Sequence, residues 1–192
     1  MTKLNVGIFG GTFDPVHDGH LITTRFVLEQ RKLDKIIFIP CNISPHKTNN
    51  ITSSPEHRLN MLKIAIEKIP LFEYSDYEIR KGEISFTLDT LSVLKKEYDN
   101  IELIIGYDNL HTFHKWKMPD EILKIAKLIV MKRTTDNNNF HSKYSEQAII
   151  LDTPTIEISS TQIRERVRNN LPIDFLVPEK VKEYILKHRL YR

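Results

Sequence analysis

Cysteine is almost absent from this sequence, with Cys41 alone among 192 residues. A single thiol excludes an intramolecular disulfide framework and a zinc site built on cysteines. No apolar run approaches the ~18–20 residues of a membrane-spanning helix, and the first residues lack the pattern of a secretory signal. We therefore expect a cytoplasmic protein, and the length fits one domain of ordinary size with a real core.

A strong net charge is also missing. The formal charge is +3, and aromatic and basic residues are not interleaved, so nucleic-acid binding is not expected. The charge is uneven, because residues 161–192 hold eight Lys and Arg against four Asp and Glu. Such a segment is usually a solvated face. The alternative is that part of it faces a small polyanionic ligand.

Strand and helix patterns alternate along the chain. Apolar runs predict strands at residues 4–9, 35–40, 72–79, 101–106, 128–132 and 148–151. Capping and apolar spacing predict helices at residues 19–31, 55–68, 88–98, 119–127, 160–168 and 178–188. The first strand, helix and strand form a βαβ unit, which implies parallel strands. The prediction is a Rossmann-like, doubly wound α/β fold: a mostly parallel sheet, helices on both faces and a small C-terminal helical segment.

Two polar connections are long for a compact domain. Residues 41–53 contain Pro45, His46 and Lys47, whereas residues 134–147 contain no such cluster. Loops of this length are often functional or mobile. The first is the better functional candidate, because Lys47 could reach an anion as a point charge. The second is interpreted as a surface excursion.

The segment GGTFDPVHDGH, residues 10–20, directly follows the first predicted strand. Ligands bind beyond the carboxyl ends of strands in open α/β sheets. We expect Gly10 and Gly11 to let the backbone turn sharply and approach a phosphate. The helix start that follows supplies N–H groups for an anion. The pattern is neither the dinucleotide GxGxxG nor the GxxxxGK[ST] loop, which argues against both classes.

His17 and His20 share one face of the helix start because they are three residues apart. They could be hydrogen-bonded histidines that cap a turn. They could also form a metal pair, although no third ligand is obvious nearby. The double glycine before them favours the third interpretation, a clamp that donates imidazole N–H groups to phosphoryl oxygens.

Later segments add candidate residues. Ser159, Ser160 and Thr161 begin a predicted helix and offer a cap and anion-binding N–H groups, with Arg164 one turn on. Gly106 and Asp108 follow a buried strand, where the carboxylate could accept from ribose hydroxyls or simply cap the next segment. Trp116 is the only tryptophan. Its charged neighbours predict a stacking platform at a site rim, and not a core residue.

These motifs together resemble the HxGH nucleotidyltransferase superfamily, and more narrowly bacterial nicotinate-nucleotide adenylyltransferases. The resemblance covers nearly the whole chain. It is carried by residues 10–20, Pro45-His46-Lys47, FTLDTL at 86–91, IGYD at 105–108, Trp116, ISSTQIR at 158–164, LVP at 176–178 and Leu190-Tyr191. Ser44, Phe86, Tyr107 and Asn170 depart from common family residues, but none of these changes removes a charged catalytic group.

The resemblance implies transfer of AMP from ATP to nicotinic acid mononucleotide, which forms deamido-NAD and pyrophosphate in NAD biosynthesis. It implies that His20, His17, Lys47 and Arg164 are catalytic. Gly10, Gly11, Thr12, Gly106, Asp108, Ser160 and Thr161 would complete the ATP site with them. Phe86, Thr87, Asp108, Trp116 and Arg133 would bind the acceptor. Mg²⁺ would be held through phosphates and water, with no all-protein metal site.

The same resemblance implies a single nucleotidyltransferase domain over residues 1–192, whose C-terminal helical part, about 159–192, completes the ATP site. The expected partners are ATP and the mononucleotide, with no nucleic acid and no membrane, and the protein would be a monomer or homodimer. Two kinds of alternative remain. One is another HxGH adenylyltransferase, with nicotinamide mononucleotide or phosphopantetheine as acceptor. The other is a non-catalytic nucleotide-sensing module on the same fold.

Overall fold

The computed structural model describes residues 4–45, 53–132 and 141–192. Its six strands form one sheet in the order β3-β2-β1-β4-β5-β6, and every neighbouring pair is parallel. The strands are β1 (Asn5–Gly11), β2 (Lys35–Pro40), β3 (Phe72–Tyr74), β4 (Asn100–Gly106), β5 (Lys127–Lys132) and β6 (Ile149–Asp152). The predicted doubly wound α/β fold is confirmed, with a sheet that is parallel throughout.

Eight α-helices connect and cover these strands within the described residues. They are α1 (Asp18–Arg31), α2 (Pro55–Ile66), α3 (Tyr77–Lys81), α4 (Thr87–Leu94), α5 (Tyr107–Thr112), α6 (Pro119–Ile125), α7 (Ser160–Arg168) and α8 (Glu179–Lys187), and a short 3-10 turn spans Phe113–Lys115. In the same part of the chain, no helix is both long and apolar enough to cross a bilayer.

The core has two layers, one on each face of the sheet. Along β2, Ile36 and Phe38 join one layer and Ile37 and Ile39 the other, as the two-residue period of a strand requires. Side chains of α1, α2, α7 and α8 complete the first layer. Side chains of α4, α5 and α6 complete the second. Helices therefore cover both faces, as predicted.

The sheet changes its direction of growth between β1 and β4, which are neighbours in space but not in sequence. A crevice opens at such a switch point beyond the carboxyl ends of the strands, and ligands bind there in folds of this kind. The segments after β1 and β4 both lie at this place. The fold thus brings the two motifs of residues 10–20 and 105–108 together.

One predicted strand is wrong in its second half. Residues 72–79 were predicted as a strand, but β3 ends at Tyr74 and α3 follows at Tyr77–Lys81. Arg80 pairs with Asp76 one turn earlier at 2.8 Å, and Gly82, with a φ of 73°, ends the helix in a left-handed conformation. Local helix signals outweigh the apolar pattern here, because β3 is an edge strand that pairs only with β2.

Other element boundaries are shifted. Strand β1 extends to Gly11, past its predicted end at residue 9, and α2, α4 and α6 end two to four residues before their predicted ends. Helix α5 was not predicted. It starts directly at the carboxyl end of β4, with Gly106 at its N-terminal cap position.

Candidate active site

The two glycines after the first apolar run do not turn the chain, contrary to the prediction. Strand β1 continues through both, with Gly11 opposite Pro40 of β2, and the reversal comes at Phe13, where φ is 51°. A Cβ atom on Gly10 would meet nothing within 4 Å. A Cβ atom on Gly11 would lie 2.9 Å from the Phe13 ring. Gly10 thus leaves backbone open to the crevice, and Gly11 makes room for a buried ring.

The two histidines of the motif open α1 and also face the crevice. His17 is the N-terminal cap residue, and its backbone N–H donates to Nδ1 of His20 at 3.3 Å. Their rings stack with centroids 3.6 Å apart. Because Nδ1 of His20 accepts a hydrogen bond, the neutral ring carries its proton on Nε2. Hydrogen-bonded histidines at the turn, the first of the three interpretations, are therefore present, and the phosphate clamp stays a prediction.

The loop between β1 and α1 is fastened to the C-terminal helices. Nη1 of Arg164 donates to the carbonyl of Asp14 at 2.8 Å, and the Ser160 hydroxyl donates to the carbonyl of Pro15 at 2.9 Å. The Asp18 backbone N–H donates to the carbonyl of Leu176 at 3.1 Å. The C-terminal segment thus forms part of the crevice wall.

The Asp14 carboxylate joins this loop to two distant parts of the chain. Asp14 is buried, and it accepts hydrogen bonds from the backbone and hydroxyl of Ser53 and, at 2.8 Å, from the Tyr191 hydroxyl. Burial, followed by the charge of Asp14, raises the pKa of Tyr191. The phenol therefore stays protonated and serves as a donor. Asp14 lies within the motif of residues 10–20, but its sequence context did not identify this role.

All predicted ATP-binding residues in the described chain line one cavity of about 470 Å³. We call it the histidine cavity. It includes Gly10, Gly11, Thr12, His17, His20, Gly106, Asp108, Ser160, Thr161 and Arg164. Lys47, the remaining residue of the predicted set, lies outside the described residues, as does Arg133 of the predicted acceptor site.

A second cavity of about 230 Å³ contains the predicted acceptor residues Phe86, Thr87 and Trp116. We call it the tryptophan cavity. It shares Gly10, Gly11, Thr12 and Asn109 with the histidine cavity. The two predicted substrate sites are therefore neighbours that meet at the carboxyl end of β1. Asp108, predicted for both sites, lines only the histidine cavity.

Trp116 lines the tryptophan cavity but also packs against the core. It is half-buried, and its ring lies against buried Phe113 with centroids 5.1 Å apart. Trp116 was predicted as a platform at a site rim and not as a core residue; it lines a cavity and is not fully buried, and Phe113 supports its ring from the core side. Lys117 extends beside it, with Nζ 4.6 Å from the centre of the Phe86 ring.

Glu78 is a buried carboxyl group of the tryptophan cavity that the sequence did not single out. It accepts a hydrogen bond from the Thr90 hydroxyl at 2.6 Å. Burial raises the pKa of Glu78, against the effect of hydrogen bonds from Thr90 and Ser85. The residue fell within a predicted strand, so its sequence position gave no signal that it would line a cavity.

No group of three or more His, Cys, Asp or Glu side chains within the described ranges is arranged to hold a metal ion. Asp14, a carboxylate that lines the histidine cavity, already accepts hydrogen bonds from hydroxyl and backbone donors.

Known proteins are similar to this chain over nearly its whole length. Residues 8–166 match the cytidylyltransferase-like family. The chain is 44% identical over 200 residues to the probable nicotinate-nucleotide adenylyltransferase of Clostridium beijerinckii, covering 97% of this chain and 98% of the relative. It is 43% identical over 188 residues to the nicotinate-nucleotide adenylyltransferase of Bacillus subtilis, covering 97% of each.

Solved structures support the fold. The nicotinic acid mononucleotide adenylyltransferase of Plasmodium falciparum, complexed with NaAD, aligns with a TM-score of 0.79 at 20% identity, covering 98% of this chain and 97% of that one. The identity and coverage of the bacterial relatives show a shared family as well as a shared fold. This chain belongs to the nicotinate-nucleotide adenylyltransferase family.

Proposed function

We propose that this protein transfers AMP from ATP to nicotinic acid mononucleotide, forming deamido-NAD and pyrophosphate. The observation that carries this proposal is the pair of adjoining cavities that meet at Gly10–Thr12, one polar and one partly aromatic. A two-substrate transfer needs two sites whose reacting ends meet. The names of the bacterial relatives supply the identity of the two substrates.

In this proposal, ATP occupies the histidine cavity, and the 5′-phosphate of the acceptor attacks the α-phosphorus in line. The bond from that phosphorus to the pyrophosphate oxygen breaks, so no covalent enzyme intermediate is needed. Positioning and charge stabilisation carry such reactions. Nε2 of His20 donates to the α-phosphate as negative charge develops. Its tautomer supports this role, because the His17 backbone holds the other ring nitrogen.

The remaining residues of the cavity hold the nucleotide. His17, Arg164 and Lys47 bind the triphosphate, with Ser160 and Thr161 toward its outer end. Arg164 is already oriented by the Asp14 carbonyl, and its Nη2 also donates to the Thr161 hydroxyl at 3.2 Å. Gly10, Gly11 and Thr12 contribute backbone, while Gly106 and Asp108 locate a ribose. The C-terminal part, about 159–192, would complete the ATP site.

Magnesium fits this site as a companion of ATP, bound to phosphate oxygens and water, and it would neutralise charge on the departing pyrophosphate. The residues lining the histidine cavity bring N–H and hydroxyl donors and cationic side chains near the phosphates. These groups suit the phosphate oxygens directly.

The nicotinate ring is proposed to lie in the tryptophan cavity against Trp116. Phe86 and Thr87 begin α4, and no side-chain hydrogen bond caps that helix start. Backbone N–H groups at such a start donate well to a carboxylate. They suit the NH₂ group of an amide poorly. Arg133, outside the described residues, is retained as a candidate for the same substrate.

The test is a pyrophosphate-release assay with ATP, Mg²⁺ and one of three acceptors: nicotinic acid mononucleotide, nicotinamide mononucleotide or phosphopantetheine. We expect rapid, acceptor-dependent release with the first. Best activity with another acceptor would assign a different adenylyltransferase. ATP binding without release for any acceptor would instead support a nucleotide-sensing module. A reaction without acceptor serves as the control for ATP hydrolysis.

A further inference from the structure

Arg58 is a fully buried arginine that neither cavity contains. It lies on the first turns of α2 with 1% of its surface exposed. Its hydrogen bonds go to backbone carbonyl oxygens, apart from a 3.9 Å contact with the Cys41 sulfur. No carboxylate pairs with it among the ion pairs of the described chain. Burial of a charge without an opposite charge costs free energy, and hydrogen bonds to carbonyl oxygens offset part of that cost.

The four carbonyl groups belong to three segments, and two of these segments contribute cavity-lining residues, Thr12 and Cys41. Nη1 donates to Thr12 at 2.9 Å and to Cys41 at 2.6 Å. Nη2 donates to Asn42 at 2.9 Å, and Nε donates to Ser53 at 3.2 Å. Thr12 follows β1, Cys41 and Asn42 follow β2, and Ser53 precedes α2. One rigid planar group thus sets the relative positions of all three segments.

Thr12 is the important member of this set, since it lines both cavities where they meet. Its neighbour Asp14 is bonded to Ser53, which Arg58 also holds. A displacement of Thr12 would therefore move the shared wall against which both substrates are proposed to lie. Misplacing reacting groups by ~1 Å can cost ~10²-fold in rate.

We propose that Arg58 is a positioning residue for adenylyl transfer, which fixes the Thr12 backbone at the junction of the two cavities through its carbonyl hydrogen bonds. This inference rests on the proposed function. Lysine cannot replace arginine here, because an ammonium group is a single point of charge and cannot present donors along a planar fork. Arg58→Lys therefore keeps the positive charge but removes the planar set of N–H donors.

The first test is a kinetic cycle of Arg58→Lys, His20→Ala and the double variant. We expect Arg58→Lys to lower kcat about 10–100-fold, the scale of a misplaced reacting group, while the KM for ATP changes less than about threefold. Residues that act as one unit have non-additive effects. In the His20→Ala background, the further loss should therefore shrink to a few-fold.

Two controls separate positioning from general destabilisation. Arg25→Lys alters another arginine that donates to a backbone carbonyl, that of Pro70, away from both cavities, and should leave kcat unchanged. Ile66→Ala weakens the buried side of the same helix α2. It should lower the melting temperature without lowering kcat in the folded protein. An unchanged kcat in Arg58→Lys, or an equal loss in both His20 backgrounds, would overturn the proposal.

A second measurement uses the wild-type protein and does not depend on the variant folding. In protein labelled with ¹⁵N-arginine, the Nε–H resonance of Arg58 is assigned through its contact with Ser53. Saturating ATP without acceptor should shift this resonance, whereas the Arg25 resonance should stay in place. A silent Arg58 resonance at saturation contradicts the inference. Loss of the proposed function would appear separately, as absent pyrophosphate release by wild-type protein.

Discussion

The two cavities of the crevice are built in different ways. The histidine cavity is made by strand ends and helix starts, and most of its proposed ATP contacts come from residues 10–20 and 158–164. The tryptophan cavity is made by side chains from separate segments, including Glu78, Phe86, Thr90 and Trp116. Backbone N–H groups and imidazoles suit phosphates, which every adenylyl donor carries. Packed side chains suit the part of the acceptor that differs between related enzymes.

The tryptophan cavity also depends more on tertiary contacts. Asp89 of α4 pairs with Lys81 at 3.1 Å and with Lys117 at 2.9 Å. The hydrogen bond from Lys117 is the main cause that lowers the pKa of Asp89. These pairs connect α3, α4 and the segment after Trp116 around the cavity. Its shape is therefore set by packing between elements, whereas the histidine pair is set within one helix start.

If the histidine cavity carries the chemistry, the largest loss comes from its donor. His20→Ala should lower kcat ~10²–10³-fold, the effect of losing a preorganised charge-stabilising donor. The affinity for ATP should change much less, because several other groups hold the phosphates. Steady-state kinetics with both substrates measure the two effects separately.

His141→Ala is the matched control, since His141 is exposed and lines neither cavity. It should behave like wild type. Near-normal turnover by His20→Ala would show that the histidine cavity does not carry the chemistry. The proposed difference between the two cavities would then fail.

The tryptophan cavity should decide between acceptors. We expect nicotinic acid mononucleotide to be preferred over its amide by roughly 10–100-fold in kcat/KM, equivalent to ~1–3 kcal/mol for one mismatched polar group. The reason is the start of α4, which offers N–H donors to a carboxylate. Competition assays with both mononucleotides measure the ratio directly. Equal use of the two acceptors would show that this cavity does not select the carboxylate.

The same contrast explains how far the sequence could be interpreted. The histidine cavity follows from contiguous motifs, since His17 and His20 occupy one helix start and Ser160 to Arg164 another. Glu78 could not be predicted as a cavity residue, because its segment was predicted as a strand but forms helix α3. Its cavity also forms only when α3 and α4 pack. The role of Arg58 was hidden for a similar reason, as its partners are backbone groups, which leave no pattern in sequence.

A change at Trp116 should have a smaller effect, on binding of the acceptor. Trp116→Ala should weaken mononucleotide binding several-fold or more, because stacking on the pyridine ring is worth ~0.5–1.5 kcal/mol beyond area burial. Its contact with Phe113 adds a stability cost, but a smaller one than the ~3–5 kcal/mol of a fully buried tryptophan. Titration of wild-type fluorescence with mononucleotide should give a saturable change. A silent titration, together with a variant that unfolds yet binds normally when folded, would make Trp116 purely structural.

Glu78 gives the smallest expected effect, on the stability of the tryptophan cavity. Burial raises the pKa of this carboxyl group above its ordinary value of 4.5, with Asp89 adding to the shift and Lys81 opposing it. The folded state then binds more protons than the unfolded state above pH 4.5, so this group makes folding less favourable as pH rises. The loss of stability from this group is complete once the pH passes its pKa in the folded protein.

Glu78→Gln keeps an oxygen that accepts a hydrogen bond from Thr90, and it cannot ionise. Denaturant unfolding between pH 4 and 8 should show the variant gaining on wild type with rising pH, by about 1.4 kcal/mol for each tenfold difference in proton affinity. For the control Glu97→Gln, at an exposed position, the plot of unfolding free energy against pH should be parallel to that of wild type. Parallel curves for Glu78→Gln as well would mean that the carboxyl group is solvated in the folded protein.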